Sequence, residues 1–507
     1  MNKWIIALTV MIPTLVEIID TSIVNVSLDH IRGSLSAGID ESTWAITAYL
    51  VSNAIVIPMS GWLSRFFGRK KYMLASISLF TLSSFLCGSA WSLRSLIFFR
   101  VVQGIGGGGL QPVSQSILLE TFPKRQHGMA MAIFGIGVMF GPIVGPLLGG
   151  WITDSWSWRW IFYVNIPIGL ASIFLTSLVI KDPSYMQKMK MRIDYFGISL
   201  LAVGFGSLQF VLDKGQREDW FSSNLIIVFS IIAFIAIVLL IIQELFTDQP
   251  IVNLRLFKNM TFATGNVVMF FVFFNLFGSI ILLPIYLQTL MGYTAFLAGL
   301  VLGPGGFASM FVMPIVGKLV QKTNPKWVLI FGILLGSFSS YLMSLFTLDS
   351  EFWTLVWPRV VLGAAMGCTF IPLTTMTLSD IPKEKMAQAT SIYNFLRNIG
   401  GSVGVAVVTT TLSQRAQFHQ SRLVDHLTPF NTSYMIAKTK IAQMLSFKGI
   451  YGLNPDGYIY GQLQRQSHMM AFNDVFVMLS VMMIGVLFLV FIMRRKPEEI
   501  KLPAEIK

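Results

Sequence analysis

Charged residues are scarce in this chain of 507 residues: Asp, Glu, Lys and Arg make up 12% of it, against 54% for hydrophobic residues. A soluble protein of this length could not bury so much apolar surface, so the composition predicts a polytopic membrane protein. Acidic residues are the rarer charged class, 24 against 37 basic ones, and the net charge is +13. The basic residues lie in short segments between apolar runs, which is typical of membrane-protein loops and not of a nucleic-acid interface.

Cysteine and the common catalytic motifs are also nearly absent. The two cysteines, Cys87 and Cys368, lie in apolar runs and indicate no disulfide framework. No phosphate-binding GxxxxGK[ST] sequence occurs, which argues against an ATP-driven pump. The GxGxxG match that begins at Gly104 follows no strand and lies in an apolar run, so it is no dinucleotide site. The sequence therefore predicts no enzyme, no metal site and no cofactor.

Apolar runs of membrane-spanning length dominate the chain. A span needs about 20 apolar residues, and this criterion predicts fourteen spans. Their approximate ranges are 4–27, 43–63, 72–92, 95–118, 129–152, 159–180, 196–213, 223–244, 261–284, 296–319, 327–347, 353–378, 388–411 and 470–493. Lys and Arg are concentrated in the loops after even-numbered spans and in the tail, so both termini are predicted to be cytoplasmic.

An internal repeat sets the architecture. Pro58–Leu63 recurs as Pro314–Leu319, and Arg100–Gly104 recurs as Arg359–Gly363. Two parallel repeats are typical of major facilitator transporters, with the substrate cavity between the halves. We therefore expect an all-α major facilitator fold with six, two and six spans. The expected parts are an N-terminal six-helix bundle (1–180), two inserted helices with flanking loops (181–260), a C-terminal bundle (261–493) and a cytoplasmic tail (494–507).

One segment on the extracytoplasmic side, 413–469, is polar and too long for a turn. Its size indicates a small external lobe that is helical in part. A solvated spacer is the alternative.

The first span contains two carboxylates, Glu17 and Asp20, whose spacing of three places them on one helical face. Asp20 lies ~24 Å along the helix from Trp4, well inside a hydrocarbon core of about 30 Å. Ionisable groups at this depth are costly and mark functional sites. A carboxylate here can take a proton from one side of the membrane and release it on the other; a structural carboxylate locked to a partner is the alternative.

Three arginines are also predicted to lie within spans: Arg100, Arg359 and Arg397. Arg100 cannot plausibly lose its charge and needs an anionic or carbonyl partner. Asp20 or Glu17 is the nearest candidate by helix order. Arg359 occupies the position in the second repeat that Arg100 occupies in the first. A purely structural pairing is the favoured interpretation for Arg359 and Arg397.

The fifth span carries a glycine ladder with two prolines. Each interior Gly costs a soluble helix about 1 kcal/mol and each Pro about 3 kcal/mol. In a bilayer such a segment stays helical but bent, and its bare face lets another helix approach closely. The ladder consists of Gly137, Gly141, Pro142, Gly145, Pro146 and Gly149.

A glycine-bounded basic turn joins the second and third spans. Its residues Gly61, Arg65, Gly68, Arg69 and Lys70 resemble the gating loop of the major facilitator superfamily. In that loop an Asp normally stands where this chain has Arg65. The absent acid puts the gating lock ascribed to that Asp in doubt.

These segments together resemble one family. The segments Asp20–Val26, Arg100–Gly104 and Trp158–Pro167, the glycine ladder and Asn394–Gly404 are similar to the fourteen-helix drug:proton antiporters of the EmrB/QacA group. The outer segment, with Arg415, His419 and Asp425, is most similar to the EmrB branch.

The resemblance implies export of hydrophobic toxic compounds in exchange for protons, across a bacterial inner membrane. It also implies a periplasmic adaptor and an outer-membrane channel as partners, with the lobe at 413–469 as adaptor contact. Export of a specific metabolite or siderophore by the same mechanism is an alternative, and a passive channel or receptor scaffold is a less favoured one. The substrate cavity is expected to be largely apolar and aromatic; its candidates are Asn25, Phe273, Phe274, Asn275, Tyr286, Gln288, Tyr393 and Asn394.

Overall fold

The computed structural model describes residues 2–183, 193–447 and 454–493. All regular secondary structure in these ranges is helical. The N-terminal helices are α1 (Lys3–Ser34), α2 (Trp44–Phe67), α3 (Arg69–Gly88), α4 (Leu93–Gly107, resuming as Leu110–Thr121), α5 (His127–Ser155) and α6 (Trp160–Tyr163, resuming as Asn165–Val179). The next two are α7 (Tyr195–Lys214) and α8 (Asn224–Phe246). The C-terminal helices are α9 (Met260–Ile285, continuing as a π-helical turn over Tyr286–Leu290), α10 (Ala295–Lys322), α11 (Pro325–Met343), α12 (Phe352–Leu378), α13 (Met386–Val424), α14 (Thr432–Phe447) and α15 (Pro455–Ile492).

Within the described residues, eleven helices are long and apolar enough to cross a membrane. The number is twelve if the bent pair Lys124–Pro142 and Leu147–Ser155, which includes α5, is one span. The two segments of α4 are each too short to count separately, and α13 runs into the polar stretch after residue 412. The count of fourteen spans and the six-two-six arrangement stay predictions, and the tail 494–507 lies outside the described residues.

The break in α4 falls on the glycine run that matches GxGxxG. A Cβ at Gly104 would lie 2.6 Å from the Tyr49 carbonyl oxygen, and one at Gly106 would lie 2.6 Å from the Phe80 backbone nitrogen. Only glycine permits these approaches, so the run lets α4 pack directly against the backbones of α2 and α3.

The glycine ladder of α5 faces α1. A Cβ at Gly145 would lie 1.9 Å from Ser22 Oγ, and one at Gly149 would lie 2.9 Å from the Ile23 carbonyl oxygen. Ser22 Oγ also donates a hydrogen bond of 2.9 Å to the Gly141 carbonyl. The helix bends by 41° between Pro142 and Leu147; the side chain of Pro146, within the bend, is outside the described part.

The N- and C-terminal helices meet closely at the end that carries the turn between α2 and α3, called here the loop 2–3 end. There a Cβ at Gly61 would lie 2.7 Å from Gln388 Cα, and one at Gly128 would lie 2.8 Å from the Gly317 carbonyl oxygen. The two groups of helices are thus packed together at the loop 2–3 end.

Helix α7 bridges both groups of helices on the side formed by α2 and α13. The rings of Phe205 and Phe395 lie 4.5 Å apart, and Trp220, just beyond α7, donates a hydrogen bond of 2.9 Å to Thr410 of α13. Lys214 donates a hydrogen bond of 2.8 Å to Thr43, at the start of α2. Most side chains of α8 are exposed and apolar, which suits a helix that faces lipid.

The segment 413–469 forms a lobe where it is described. The outer part of α13, the helix α14 and the start of α15 make it up, and residues 448–453 lie outside the described part. Arg415 and His419 of α13 both contact Asp474 of α15, at 2.6 Å each.

Candidate functional site

Asp20 and Arg100 form a buried ion pair between α1 and α4. Arg100 Nη1 donates to Asp20 Oδ2 at 2.6 Å, and the two side chains are 1% and 0% exposed, respectively. Arg100 Nε donates to the carbonyl of Ala45 at 3.1 Å, and the guanidinium lies 4.2 Å from the centre of the Tyr49 ring. Of the two carboxylates that the sequence offers as partner, Asp20 makes the contact.

Neutral side chains complete the shell around Asp20. Gln103 and Asn165 both donate to Asp20 Oδ1, at 3.0 and 2.8 Å. Gln103 in turn accepts from Arg100 at 2.7 Å, which fixes its amide orientation. Every side-chain neighbour therefore offers Asp20 a donor, an arrangement that suits the ionised carboxylate.

Glu17 lies one turn away and has a separate set of donors. Tyr49 Oη and Asn53 Nδ2 donate to its Oε1 at 3.1 and 3.2 Å, and Gln111 Nε2 donates to its Oε2 at 2.6 Å. Glu17 is 3% exposed. Its donors come from α2 and α4, and among the residues that the structure describes none of its hydrogen-bond donors is a cation.

Two amides of α4 carry the network across to α13. Gln111 Oε1 accepts a hydrogen bond from Arg397 Nη2, and Gln115 Oε1 accepts one of 2.5 Å from Asn394 Nδ2. Arg397 is 7% exposed, and its Nη1 is buried with no hydrogen-bond partner in the described part of the chain.

The structure places the cavity candidates in different surroundings. Asn394 bonds Gln115 of α4 and so lies at the interface between the halves, and Phe273 lies 5.4 Å from the guanidinium of Arg397, which bonds Gln111 of α4. Tyr393 bonds Thr374 of α12, within the C-terminal helices. Asn275 bonds Ser340 of α11, and Tyr286 bonds the Thr347 carbonyl. These two hold C-terminal helices to one another. Phe274 is buried against Gly404, whereas Asn25 and Gln288 are exposed.

Acidic side chains from other parts of the chain form hydrogen bonds with the loop between α2 and α3. Arg69 makes two hydrogen bonds to Glu120, at the end of α4, of 2.9 and 2.7 Å. Gly68 has a φ of +85°, and the following Lys70 backbone N–H donates to Asp182 at 2.9 Å. Arg65 lies in the last turn of α2. The acid absent at position 65 is therefore not the only carboxylate that can hold this loop.

Arg359 lies in α12 and is also buried. Its Nη1 donates to Ser279 Oγ at 3.2 Å, while its Nε has no hydrogen-bond partner among the described residues. Arg359 thus makes a neutral contact where Arg100 makes an ionic one.

Sequence reasoning missed the amides and the phenol of this network: Tyr49, Asn53, Gln103, Gln111, Gln115 and Asn165. Their signal was a hydrogen-bonding side chain inside an apolar run, which in membranes marks helix–helix contacts. Such residues are frequent in this chain, so the signal alone does not select them.

The bundle buries an ion pair within its N-terminal helices and two amide hydrogen bonds between its halves. Buried charges of this kind inside apolar helices are typical of a multi-pass membrane transporter. The profile of the Major Facilitator Superfamily matches residues 10–405, and the chain belongs to this superfamily. Within the described residues no group of three or more His, Cys, Asp or Glu side chains is placed to hold a metal ion.

Relatives specify the branch. The chain is 37% identical to the multidrug export protein EmrB of Escherichia coli K12, over 96% of this chain and 94% of that protein. It is 35% identical to the fatty acid resistance protein FarB of Neisseria gonorrhoeae, over 96% and 95%. The crystal structure of the human organic anion transporter MFSD10 superposes with a TM-score of 0.63 at 11% identity, covering 97% of this chain and 100% of that one, and shows the fold alone. The chain is an EmrB-type member of the superfamily, as the sequence motifs predict.

Proposed function

We propose that this chain is a proton-coupled antiporter that exports hydrophobic toxic compounds by alternating access, through fourteen spans arranged six, two and six. The observation that carries the proposal is the buried Asp20–Arg100 pair, whose carboxylate accepts hydrogen bonds from Gln103 and Asn165 as well. Protonation of Asp20 would leave Arg100 buried without an anion, which is strongly unfavourable in this arrangement of helices. Because the two protonation states differ in this cost, a proton can shift the balance between two conformations.

The arrangement of the helices fits such a cycle. With loop 2–3 in the cytoplasm, as the positive-inside pattern predicts, packing at the loop 2–3 end would close the cytoplasmic side in this conformation. Proton uptake from outside would then favour opening toward the cytoplasm, where substrate enters and the proton leaves. The ladder of α5, seated against α1, would keep the carboxylate-bearing helix close during this movement, and Phe273, Tyr393 and Asn394 would line the cavity.

Transport in proteoliposomes tests the proposal. An imposed pH gradient should drive accumulation of a lipophilic cation such as ethidium, and the wild type should also show counterflow of labelled substrate. Asp20→Asn should abolish accumulation driven by the gradient. Accumulation without dependence on the gradient would refute proton coupling, and absence of counterflow would favour a channel or receptor.

The substrate range belongs to the proposal as well. The names of two relatives, a multidrug export protein and a fatty acid resistance protein, support lipophilic small molecules. Export of one metabolite or siderophore is the alternative. A panel of lipophilic cations, lipophilic acids and a hydrophilic siderophore, competed against ethidium in the same vesicles, separates these possibilities.

We further propose a tripartite assembly in a bacterial inner membrane, with both termini cytoplasmic and the lobe bound to a periplasmic adaptor. The lobe supports this because Phe430 and Phe447 are 98% and 94% exposed, and isolated aromatic rings of this kind suit a protein interface. Replacing both with Ser should lower drug resistance in cells while transport in proteoliposomes is unchanged. Unchanged resistance would argue against the lobe as adaptor contact.

A further inference from the structure

Gln111 contacts a carboxylate with one end of its amide and a guanidinium with the other. Its Nε2 donates to Glu17 Oε2 at 2.6 Å, and its Oε1 accepts from Arg397 Nη2. Glu17 belongs to α1 and Arg397 to α13, so this single side chain, from α4, joins the two groups of helices.

The surroundings leave this amide one favourable orientation. The titratable or charged groups near Glu17 are Tyr49 of α2 and Arg397 of α13, with the Asp20–Arg100 pair one turn further along α1. Arg397 can only donate hydrogen bonds, and the ionised Glu17 can only accept them. The amide oxygen must therefore face Arg397 and the amide nitrogen must face Glu17.

Protonation of Glu17 removes this constraint. A protonated carboxyl carries an O–H donor that needs an acceptor, and the side chains facing Glu17 are Tyr49, Asn53 and Gln111. If Gln111 rotates to offer its oxygen, its NH₂ group meets Arg397, and two donors face each other. The bond between α4 and α13 is then lost.

We infer that Gln111 is a positioning residue that converts protonation of Glu17 into loss of a contact between the N- and C-terminal helices. The inference rests on the proposed proton coupling at α1. In the ionised state the contact helps to hold the halves together, and in the protonated state its loss favours their separation at the loop 2–3 end.

The chain supplies a matched control four residues further along α4. Gln115 also accepts a hydrogen bond from α13, from Asn394, but its amide nitrogen contacts the sulfur of Met131 instead of a carboxylate. Gln111→Leu and Gln115→Leu each remove one amide contact between the same two helices. Only Gln111→Leu also removes a hydrogen bond to Glu17.

The test is a distance measurement between spin labels on the two halves, as a function of pH. Labels at Phe67→Cys and Lys385→Cys would sit at exposed positions at the loop 2–3 end, and the native cysteines are buried. As the pH falls from 8.5 to 5.5, the wild type and Gln115→Leu should gain a population with a longer distance. Gln111→Leu, Arg397→Gln and Glu17→Gln should gain less of this population than the wild type, because only the response through Asp20 remains.

Proton release on addition of ethidium, measured on the same samples, distinguishes failure of the role inferred for Gln111 from failure of the proposed proton coupling. Release that persists in Gln111→Leu while its distances respond to pH less than those of the wild type supports the inference. A pH response in Gln111→Leu and Arg397→Gln equal to that of the wild type overturns it and leaves proton coupling intact. The inference also fails if Gln115→Leu loses the response as fully as Gln111→Leu. Absence of proton release in the wild type would instead overturn the proposed function.

Discussion

At the scale of single residues, the site is a set of buried charges that are each held by specific partners. Asp20 has a cation and two amides, Glu17 has a phenol and two amides, and Arg397 has one amide and an aromatic face. Removal of one member of a buried pair is costly because the other charge stays behind without compensation. The network is therefore sensitive to single substitutions in a predictable order.

Arg100→Ala should be the most damaging of these changes. It leaves Asp20 buried without its cation, and we expect the free energy of unfolding to fall by about 3–5 kcal/mol and transport to stop. Thermal denaturation in detergent and uptake in proteoliposomes measure the two effects. Asp29→Asn, which changes an 84% exposed carboxylate of the same helix, is the control and should alter neither. A normal melting temperature and normal uptake in Arg100→Ala would contradict the account.

At the scale of elements, small residues set how closely helices approach. Gly61 and Gly317 occupy equivalent positions of the internal repeat, and both lie at close contacts between the N- and C-terminal helices. The repeat is therefore visible in the sequence partly because both copies serve the same packing requirement.

The ladder of α5 gives a test with an internal control. Gly145→Val would place a side chain against Ser22 Oγ, 1.9 Å from the position of Cβ, and should force α1 and α5 apart. We expect loss of transport and a lower melting temperature, because overpacking of a close contact typically costs about 1–3 kcal/mol. Gly150→Val should be tolerated, since the nearest atom to its Cβ is Val26 Cγ1 at 4.0 Å. Equal effects of both substitutions would show that the close approach of α1 is unimportant.

The lobe has its own ionic contact, between α14 and α15. Lys438 donates a hydrogen bond of 2.7 Å to Asp456, and this bond raises the pKa of Lys438 above its ordinary 10.5. A raised pKa means that the stabilisation is complete below the unfolded value and is lost as the pH rises through the folded value. In the protein with native Asp456, a spin label at Lys440→Cys should therefore gain mobility only at strongly alkaline pH. In the Asp456→Asn variant the same label should already be more mobile at neutral pH. A label equally mobile in both proteins at neutral pH would contradict this.

At the scale of the whole molecule, the proposed transport cycle requires the two groups of helices to separate at the loop 2–3 end. Ser60 Oγ and Ser391 Oγ lie 2.8 Å apart across this contact. Cysteines at both positions should form a disulfide that blocks transport, and reduction should restore it. Cysteines at Ser337 and Ser480, whose hydroxyls lie 3.0 Å apart within the C-terminal helices, are the control and should leave transport unaffected. Transport by the oxidised Ser60–Ser391 variant would show that this end need not open.

The sequence predicts much of the fold because its signals are local. Apolar length locates the helices, and residues at spacing four along α5 share the face that meets α1. The same reasoning leaves two candidate partners for Arg100, Asp20 and Glu17. It does not choose between them, because both lie on one helical face. Gln111 could not be chosen from the sequence, since its role depends on Arg397, 286 residues away. The aromatic cavity candidates were similarly undetermined, because lipid-facing, packed and cavity-lining positions are all apolar.

The proposed function requires that substrate binding is linked to release of a proton from the carboxylates of α1. Its most direct test is proton release from the purified protein in weakly buffered detergent, on addition of a lipophilic cation and, separately, of a hydrophobic weak acid. The account predicts release from the wild type that is lost in Asp20→Asn and reduced in Glu17→Gln, with substrate binding measured in parallel. Release that is unchanged in both variants, or absent from a wild type that binds substrate, would contradict the account.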